Sequence, residues 1–286
     1  MLALQVSGRS HLTLQLYRRS VEPLITFLSD RPIIDISPGD LRSFLAYLGT
    51  KVNPVTVSIR WRSIRSFFNW LYREGLLTES PVKRIQTAKV PRQFPYVLND
   101  AQVQALVQAA KARAGTWQGY RNYVIVLTFL DCGLRVSELR GVTVNDVNLI
   151  HGTLQVMGKG SRERRVYFGR RLSRVLRDWL AKRTLSLSSD ALFCTRKGYA
   201  LTRYEIAHII QGLGKGARLQ GVRCSPHTLR HTFATQFIRN GGDPFSLQRL
   251  LGHSDISTTM VYVHMAGTAL REAHAKASPV DRLLEG

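Results

Sequence analysis

Apolar residues recur at helical spacing through the first third of the chain. The pattern predicts a helix that begins near His11, a second over residues 37–49 and a third over residues 54–74. In the third helix an apolar residue occupies every third or fourth position, which is the spacing of a stripe that packs into a core. The residues of this stripe are Val57, Trp61, Ile64, Phe68 and Leu71. A small helical domain is therefore expected at the amino-terminal end.

A polar face runs along the same predicted helix of residues 54–74. Ser58, Arg62, Arg65 and Asn69 stand at i, i+4, i+7 and i+11, so they lie on one side of the helix. A hydroxyl, two guanidinium groups and an amide in a row suit contacts to phosphate groups and to base edges of nucleic acid. A solvated charged face is the alternative interpretation.

Two prolines separate this helical region from the rest of the chain. Residues 88–95 read AKVPRQFP, and proline favours extended backbone both in itself and in the residue before it. The stretch is therefore predicted to be a semi-rigid linker. This prediction divides the chain into an amino-terminal domain of residues 1–88, a linker of residues 89–97 and a larger domain of residues 98–286.

The larger domain mixes long helical stretches with two short alternating ones. The alternating stretches, residues 153–157 and 164–168, predict the two strands of a β-hairpin. Helical periodicity predicts one helix that begins near residue 100. It predicts further helices over residues 121–130, 134–140, 171–185, 202–219 and 268–276. The expected fold is mainly α with a small β-sheet, in which a helical domain precedes an α+β domain.

The stretch of residues 225–264 concentrates the polar chemistry of the chain. His227, Arg230 and His231 stand at i, i+3 and i+4 of a predicted helix and therefore share one face. The Asn-Gly-Gly sequence of residues 240–242 favours the left-handed turn that ends a helix. The basic face is thus predicted to lie on a helix of defined length.

A second helix is predicted directly after this turn. Asp243 is a typical N-cap and Pro244 a typical first helical residue, and the helix ends at Gly252. His253 follows at once, and Tyr262 lies nine residues further along the chain. Because basic side chains outnumber acidic ones in this stretch, a site formed here suits an anion such as phosphate.

The charge of the chain indicates a polyanionic partner. The 286 residues include 41 Lys or Arg against 19 Asp or Glu, which gives a net charge of +22. The excess occurs in both parts of the chain, with 14 basic against 6 acidic residues up to position 97 and 27 against 13 after it. A partner held by both domains is indicated, with nucleic acid favoured over an anionic membrane.

The sequence gives no sign of a membrane span or of disulfide bonds. It contains no apolar run of about 18 residues, and its first residues lack a basic region followed by an apolar core. Cys132, Cys194 and Cys224 are odd in number and widely spaced, so buried reduced thiols are expected rather than a disulfide framework or a thiolate zinc site. A cytoplasmic protein is the expectation.

These motifs resemble those of the tyrosine recombinases, also called the phage integrase family. HTLRHTFATQF followed by LLGHSDISTTMVYVH is similar to the family's carboxyl-terminal pattern of HxxR, a second histidine after Leu-Gly, and a tyrosine nine residues on. Two upstream motifs occur in the family's order: CGLRVSEL supplies Arg135 and Glu138, and a Gly-Lys-Gly turn between the predicted strands supplies Lys159. The amino-terminal region resembles, in pattern, the family's four-helix core-binding, SAM-like domain. The layout is similar to that of a minimal, Xer-like member with two domains.

The resemblance implies an enzyme that cuts and rejoins DNA at defined sites through a 3′-phosphotyrosine and a Holliday junction. Tyr262 would be the nucleophile, and the planar forks of Arg135 and Arg230 would bind the phosphoryl oxygens. Lys159 would protonate the departing 5′ oxygen, because an ammonium group can release a proton that a guanidinium group retains. Since the covalent link conserves the energy of the broken bond, neither a metal nor another cofactor is expected.

The remaining residues of the implied site have supporting or open roles. His227 and His253 are left to bond the phosphate or to accept the tyrosine proton, and the sequence does not decide between them. Glu138 would orient an arginine or a histidine of the site without itself contacting the substrate. His231 and His264 are expected to be structural.

The implied partner is double-stranded DNA that carries inverted-repeat recombination sites. Arg162 and Arg164 are predicted DNA contacts, together with the polar face of helix 54–74. In the family the carboxyl-terminal tail packs into a neighbouring protomer, which implies that residues 266–286 link a homotetramer on DNA. A second recombinase or an accessory protein remains a possible additional partner, and no membrane is expected.

Other functions compete for the same motifs. A type IB topoisomerase shares this chemistry, and a DNA-binding regulator can keep such a fold without catalysis. His227 and His231 are spaced like zinc ligands on a metalloprotease helix, but HTLRH lacks the glutamate base and sets an arginine beside the ion. The Gly-Lys-Gly turn lacks the spacing of a P-loop. Two positions depart from the family, Cys132 where threonine is usual and Tyr167 where proline is common, and neither bears on the chemistry.

Overall fold

The computed structural model describes residues 11–29, 31–86, 94–158, 163–183 and 189–267, together with positions 8, 278 and 280. The chain divides into two units, Met1–Gln93 and Phe94–Gly286, each with its own core. Four sequence-based predictions fall wholly or partly outside the described residues: Lys159, Arg162, the tail helix of residues 268–276 and the first five residues of the linker at 89–97.

The amino-terminal unit is helical, and its helices begin at clear capping residues. It contains α1 (His11–Phe27), a 3-10 helix (Ile33–Asp35), α2 (Pro38–Lys51) and α3 (Pro54–Arg73). Ser37 and Asp40 form a capping box at the start of α2, and the Asn53 side chain accepts a hydrogen bond from the Thr56 N–H at 2.9 Å at the start of α3. A proline follows each cap as the first helical residue, where a missing N–H costs no hydrogen bond.

The core of this unit lies on the predicted apolar stripe of α3. Trp61, Ile64, Phe68 and Leu71 are buried, and Phe44 of α2 is buried in the same core. Within residues 11–29 and 31–86 the structure shows three α-helices and one 3-10 helix. The turns of residues 74–86 also contribute to the core, through the buried side chains of Leu77, Val82 and Ile85.

The second unit surrounds a small sheet with helices. In chain order it contains α4 (Asp100–Ala112), α5 (Trp117–Cys132), α6 (Val136–Gly141), a 3-10 helix (Val144–Asp146), β1 (Val147–Asn148), β2 (Thr153–Met157), β3 (Glu163–Tyr167), α7 (Arg170–Arg183), α8 (Arg203–Gly216), α9 (Pro226–Arg239), α10 (Pro244–Leu251) and α11 (Ser257–Ala266). The prediction of a mainly α protein with a small sheet is confirmed. Predicted and observed boundaries differ by a few residues, as is usual at helix ends.

The sheet has three antiparallel strands in the order β1-β2-β3. Leu154 pairs with Val166 across β2 and β3, and both side chains are buried with Val156, whereas alternate residues of β2 face outward. The alternation explains why β2 and β3 are recognisable in the sequence. With only two residues, β1 is too short to show such a pattern.

Helix α5 lies at the centre of the second unit and is buried on several sides. Val124, Ile125 and Val126 are three consecutive inaccessible residues, a pattern typical of a helix enclosed by neighbours rather than of a surface helix. It packs against α4, α7 and α9. The helix ends at Gly133, whose φ of +60° is left-handed, and a Cβ there would overlap the ring of Phe233.

The three cysteines are buried and free, which confirms the expectation of reduced thiols. Burial raises the pKa of Cys132 and raises that of Cys224 to about 11, so these thiols stay protonated at neutral pH. Among the helices of the described residues, none combines the length and the apolar character needed to cross a bilayer.

Candidate active site

Glu138 is a buried carboxylate that three arginines approach. Its side chain is 2% exposed. Its oxygens accept hydrogen bonds from Arg135 Nη1 at 2.8 Å and from the two terminal nitrogens of Arg164 at 2.7 and 2.9 Å. Nη1 of Arg230 lies 3.8 Å from the same carboxylate. Three guanidinium groups against one carboxylate leave two positive charges without a counterion in this cluster, so the site attracts an anion.

The Gly-Leu-Arg-x-x-Glu sequence forms this cluster through local backbone geometry. The left-handed Gly133 ends α5 and turns the chain, and the buried Leu134 anchors the turn in the core. Arg135 then stands at the N-cap of α6, where its backbone N–H donates to Glu138 Oε2 at 2.7 Å. Because Arg135 caps the helix, the helix begins at Val136 rather than at residue 134. The glutamate side chain is thus fixed three residues after the arginine that it orients.

Glu138 keeps its negative charge despite its burial. Desolvation by itself raises the pKa of this carboxyl, but hydrogen bonds from Arg164 and from the Arg135 backbone outweigh it and hold the pKa below the ordinary value. A charged Glu138 in turn stabilises the guanidinium groups around it. The cluster is therefore ionised at neutral pH.

Arg230 extends from α9 into the interior and is nearly inaccessible. Its Nη1 donates to the Gly133 carbonyl at 2.7 Å, and its Nη2 donates to the Leu251 carbonyl at 2.8 Å and to His253 Nε2 at 3.2 Å. Burial, together with repulsion from Arg135, lowers its pKa to about 10, which still leaves it charged at neutral pH. The guanidinium plane is fixed from several sides before any substrate arrives.

The contacts of His253 determine its tautomer. A guanidinium group only donates hydrogen bonds, so Nε2 of His253 must accept the bond from Arg230 with a lone pair. Burial and the charge of Arg230 lower the pKa of His253 to about 4, so the ring is neutral at pH 7 and its proton is on Nδ1. Nδ1 lies 3.0 Å from Oγ1 of Thr259 and donates to it. Both ring nitrogens of His253 are therefore occupied.

Tyr262 lies on α11 and is buried in a small apolar cluster. The cluster is formed by Phe233, Ala234, Ile238, Leu247, Leu251 and Tyr262, and Tyr262 is only 4% exposed. Its ring stacks on that of His253 with 6.5 Å between centroids. Burial raises the pKa of the phenol, while the charges of Arg230 and Arg135 oppose that shift. Tyr262 thus lies beside the arginine cluster, as a protonated phenol.

The hydroxyl of Tyr262 forms a hydrogen bond with His231, a residue for which the sequence suggested a structural role. Nδ1 of His231 is 2.8 Å from the phenolic oxygen. Burial lowers the pKa of His231 to about 4, helped by His227 and Arg230, so the imidazole is neutral. The sequence held a signal for this position, since His231 follows Arg230 directly and shares a helical face with His227.

The other predicted residues lie in different settings. His227 is exposed at the start of α9, close enough to His231 to affect its charge. Arg164 of β3 is only 14% exposed, and its Nε donates to the Leu250 carbonyl at 2.9 Å while its terminal nitrogens contact Glu138. These contacts fit a residue that holds the site together better than they fit the DNA contact suggested by the sequence.

The predicted polar face of the amino-terminal unit is partly accessible. Arg62 and Arg65 are exposed on α3, whereas Ser58 and Asn69 are half-buried. Oδ1 of Asn69 accepts a hydrogen bond from the Ser80 hydroxyl at 2.9 Å, so this amide also joins α3 to the turns that follow it. The two arginines remain available to a partner.

Both units match models of known protein families. Residues 96–268 match the model of the phage integrase family. Residues 2–75 match the model described as the phage integrase N-terminal SAM-like domain. Together these two matches cover most of the chain.

Individual relatives and a solved structure agree with these matches. The chain is 37% identical over 246 residues to the tyrosine recombinase XerC of Pelobacter propionicus, covering 86% of this chain and 80% of the relative. It is 35% identical over 277 residues to the tyrosine recombinase XerD of Yersinia pestis, covering 93% and 91%. Its fold is similar to the crystal structure of the XerH site-specific recombinase bound to a palindromic difH substrate, with a TM-score of 0.79 at 21% identity over 94% of this chain and 80% of that one.

Proposed function

The chain belongs to the phage integrase family, and from that premise we propose that it is a site-specific DNA recombinase of the tyrosine type. It cuts one DNA strand, holds the 3′ phosphate covalently on Tyr262, and passes that phosphate to the 5′ hydroxyl of another strand. The observation that carries the proposal is the line of contacts from Tyr262 through His253 to Arg230 and the Glu138 cluster.

The charge of the site suits the transition state of this reaction. A phosphodiester carries one negative charge, and a second develops as the tyrosine oxygen attacks the phosphorus. The two uncompensated positive charges of the arginine cluster match that total, and Arg135 and Arg230 are the donors we assign to the phosphoryl oxygens. Because Glu138 and backbone carbonyls already hold the guanidinium planes, little reorganisation is needed when the phosphate binds.

The leaving 5′ oxygen needs a proton, and we assign that proton to Lys159. The residue lies outside the described part of the chain, so this assignment rests on the Gly-Lys-Gly motif between β2 and β3 and on the proton that an ammonium can release. His227 and His253 are proposed to donate hydrogen bonds to the phosphate. The proton of Nδ1 in His253 is engaged with Thr259, so its ring must turn or exchange partners to do so.

The substrate we propose is duplex DNA with two inverted half-sites. The net charge of +22 and the exposed Arg62 and Arg65 support DNA binding by both domains, mainly through contacts to phosphate groups. In this proposal a linker at residues 89–97 joins the two domains. Reciprocal strand transfer between two sites requires four active sites, so a homotetramer linked through tails of residues 266–286 completes the proposal. The names of the relatives and of the solved complex agree with such a substrate.

The function can be tested even though the recombination sequence is not specified in advance. Purified protein is incubated with the genomic DNA of its source and denatured, and the DNA that remains covalently attached is sequenced. The proposal predicts that the attached ends define one inverted-repeat sequence. A plasmid with two copies of that sequence should then lose the intervening segment in the presence of the parent protein, but not with Tyr262→Phe.

Two results would favour other functions of this fold. Relaxation of a supercoiled plasmid that lacks the recovered sequence, at the rate seen with the sequence, would indicate a topoisomerase. Tight and selective binding without any covalent DNA would indicate a regulator. Either result contradicts site-specific recombination.

A further inference from the structure

We infer that His231 is a catalytic residue of the proposed strand cleavage, and that it accepts the proton of Tyr262 as the phenol attacks the phosphate. This inference rests on the proposed function and adds a residue to its site. The observation behind it is the 2.8 Å hydrogen bond between Nδ1 of His231 and the phenolic oxygen. The bond joins the nucleophile to a half-buried ring on the neighbouring helix, since α9 packs directly against α11.

His231 differs from the other two histidines near the site, His227 and His253, in its contact with the nucleophile. Nε2 of His253 is occupied by Arg230, and Nδ1 of His253 is occupied by Thr259. His227 is exposed at the first turn of α9. A neutral imidazole has one lone pair, and in the tautomer with its proton on Nε2 that lone pair of His231 faces the phenol O–H. His231 is thus the imidazole within hydrogen-bond reach of the proton that must leave.

The step conserves every atom and charge. The O–H bond of Tyr262 breaks as its oxygen forms a bond to phosphorus, and the proton passes to Nδ1 of His231. The bond from phosphorus to the 5′ oxygen breaks, and that oxygen takes a proton from the general acid, for which we propose Lys159. In the reverse step, which joins the strands, His231 returns its proton to the phenol.

Because of the charges around His231, its ability to accept a proton depends on whether the substrate is bound. His227 and Arg230 face it from its own helix, Tyr262 forms a hydrogen bond with it from α11, and His253 stacks on the same tyrosine ring. Without DNA, burial and these basic neighbours disfavour a protonated imidazole. An anionic phosphate beside Arg230 offsets that repulsion, so the ring can take up a proton once the scissile group is in place.

The test uses two replacements of His231 and one matched control. The amide of His231→Asn places a polar atom near the former Nδ1 and keeps a hydrogen bond to the phenol, but an amide does not take up a proton. His231→Ala removes both functions. His151→Asn makes the same change at an exposed turn between β1 and β2. The substrate is a nicked duplex that carries the sequence recovered from the covalent DNA, and the readouts are its dissociation constant and the single-turnover rate of adduct formation from pH 7 to pH 9.

We expect His231→Asn to bind the duplex like the parent and to form the adduct about 100-fold more slowly at pH 7, the usual contribution of a general base. Its rate should rise about tenfold per pH unit, because the proton must then leave to solvent and burial holds the pKa of the Tyr262 phenol above its ordinary value. The parent rate should rise less steeply, and His151→Asn should match the parent.

Three results would overturn the inference. One is a His231→Asn rate within about threefold of the parent rate at pH 7. Another is a deficit that stays the same at every pH, which would show a structural role. The third is recovery of the variant on a duplex with sulfur as the bridging 5′ atom, because a thiolate leaves without a proton and that result would make His231 the acid. If the parent itself forms no adduct, the proposed function fails, and the inference fails with it.

Discussion

Arg164 donates hydrogen bonds from both terminal guanidinium nitrogens to the carboxylate of Glu138, over 2.7 and 2.9 Å. This bidentate pair connects β3 to α6, the helix that Arg135 caps. Because Nε of Arg164 also donates to the Leu250 carbonyl, the same side chain reaches α10, which precedes His253. One arginine therefore links three elements of the site, β3, α6 and α10.

Replacement of Glu138 by glutamine should destabilise the second unit. The change leaves three partly or fully buried guanidinium groups without their common counterion, and removal of one partner from a buried ion pair costs about 3–5 kcal/mol. Urea unfolding of Glu138→Gln against the parent measures the effect. Glu163→Gln is the control, because Glu163 is exposed on β3. Equal unfolding free energies of Glu138→Gln and the parent would contradict the proposed role of the carboxylate.

The same pair of proteins should respond differently to acid. The pKa of Glu138 in the folded protein lies below its value of 4.5 in the unfolded chain, so its contribution to stability is fully present above about pH 5. That contribution is lost as the pH falls through the folded-state pKa. The difference in unfolding free energy between parent and Glu138→Gln should therefore be constant from pH 7 to pH 5 and shrink below about pH 4. A difference that grows on acidification would contradict this assignment.

Thr259→Val should slow DNA cleavage. Valine matches the shape of the fully buried threonine but leaves Nδ1–H of His253 without its acceptor, and an unsatisfied buried donor costs about 1–3 kcal/mol. If that cost raises the barrier, adduct formation slows by about 5- to 150-fold. Thr259→Ser should retain the parent rate.

Thr235→Val is a matched control for Thr259→Val. Thr235 is buried on α9, and its hydroxyl has no hydrogen-bond partner among the described residues, so its loss removes no contact. The cleavage rate of Thr235→Val should equal that of the parent. Similar rates for both valine variants would show that Thr259 does not orient His253.

Gly133→Ala should destabilise the protein and disturb Arg230. A left-handed residue with a Cβ costs about 1–2 kcal/mol, and the overlap with the Phe233 ring adds to that cost. The Gly133 carbonyl also accepts a hydrogen bond from Arg230. Gly141→Ala is the control, because a Cβ at Gly141 would meet no described atom within 4 Å. The two variants are compared by their thermal unfolding temperatures. Equal unfolding temperatures for Gly133→Ala and Gly141→Ala would contradict the role of this turn.

Arg62→Gln with Arg65→Gln should reduce the salt dependence of DNA binding. Each phosphate contact contributes about 0.9 to the slope of log affinity against log salt, so the double variant should lower the slope by about 2. Titrations of a duplex at several salt concentrations give this slope. Arg18→Gln is the control, since Nε of Arg18 already donates to Glu22 at 2.7 Å. A slope equal to that of the parent would mean that the two arginines face solvent only.

The sequence predicted those parts of the fold that depend on neighbours along the chain. The cap at Asp243, the proline after it and the alternating pattern of β2 and β3 are all local signals, and each is confirmed by the structure. The Gly-Leu-Arg-x-x-Glu motif is local too, because its turn and the hydrogen bond from the Arg135 N–H to Glu138 involve only residues 133–138. Such features follow from backbone sterics and hydrogen bonding within a few residues.

The relationships that the sequence did not reveal join residues far apart in the chain. The partners of Arg164, His253 and Tyr262 depend on how β3, α9, α10 and α11 pack, and periodicity specifies only which side of each element is apolar. A basic residue beside a Gly-Lys-Gly turn is as compatible with a DNA contact as with an internal ion pair. For the same reason His231 was expected to be structural, whereas its ring forms a hydrogen bond with the hydroxyl of Tyr262.

The most direct measurement maps the covalent bond itself. The parent protein is trapped on a nicked duplex that carries its recombination sequence, digested with protease and nuclease, and analysed by mass spectrometry. We predict a single nucleotide-bearing peptide, modified on Tyr262 through a 3′ phosphate, and no such peptide from Tyr262→Phe. An adduct on any other residue, or one that persists in Tyr262→Phe, would contradict the assignment of Tyr262 as the nucleophile.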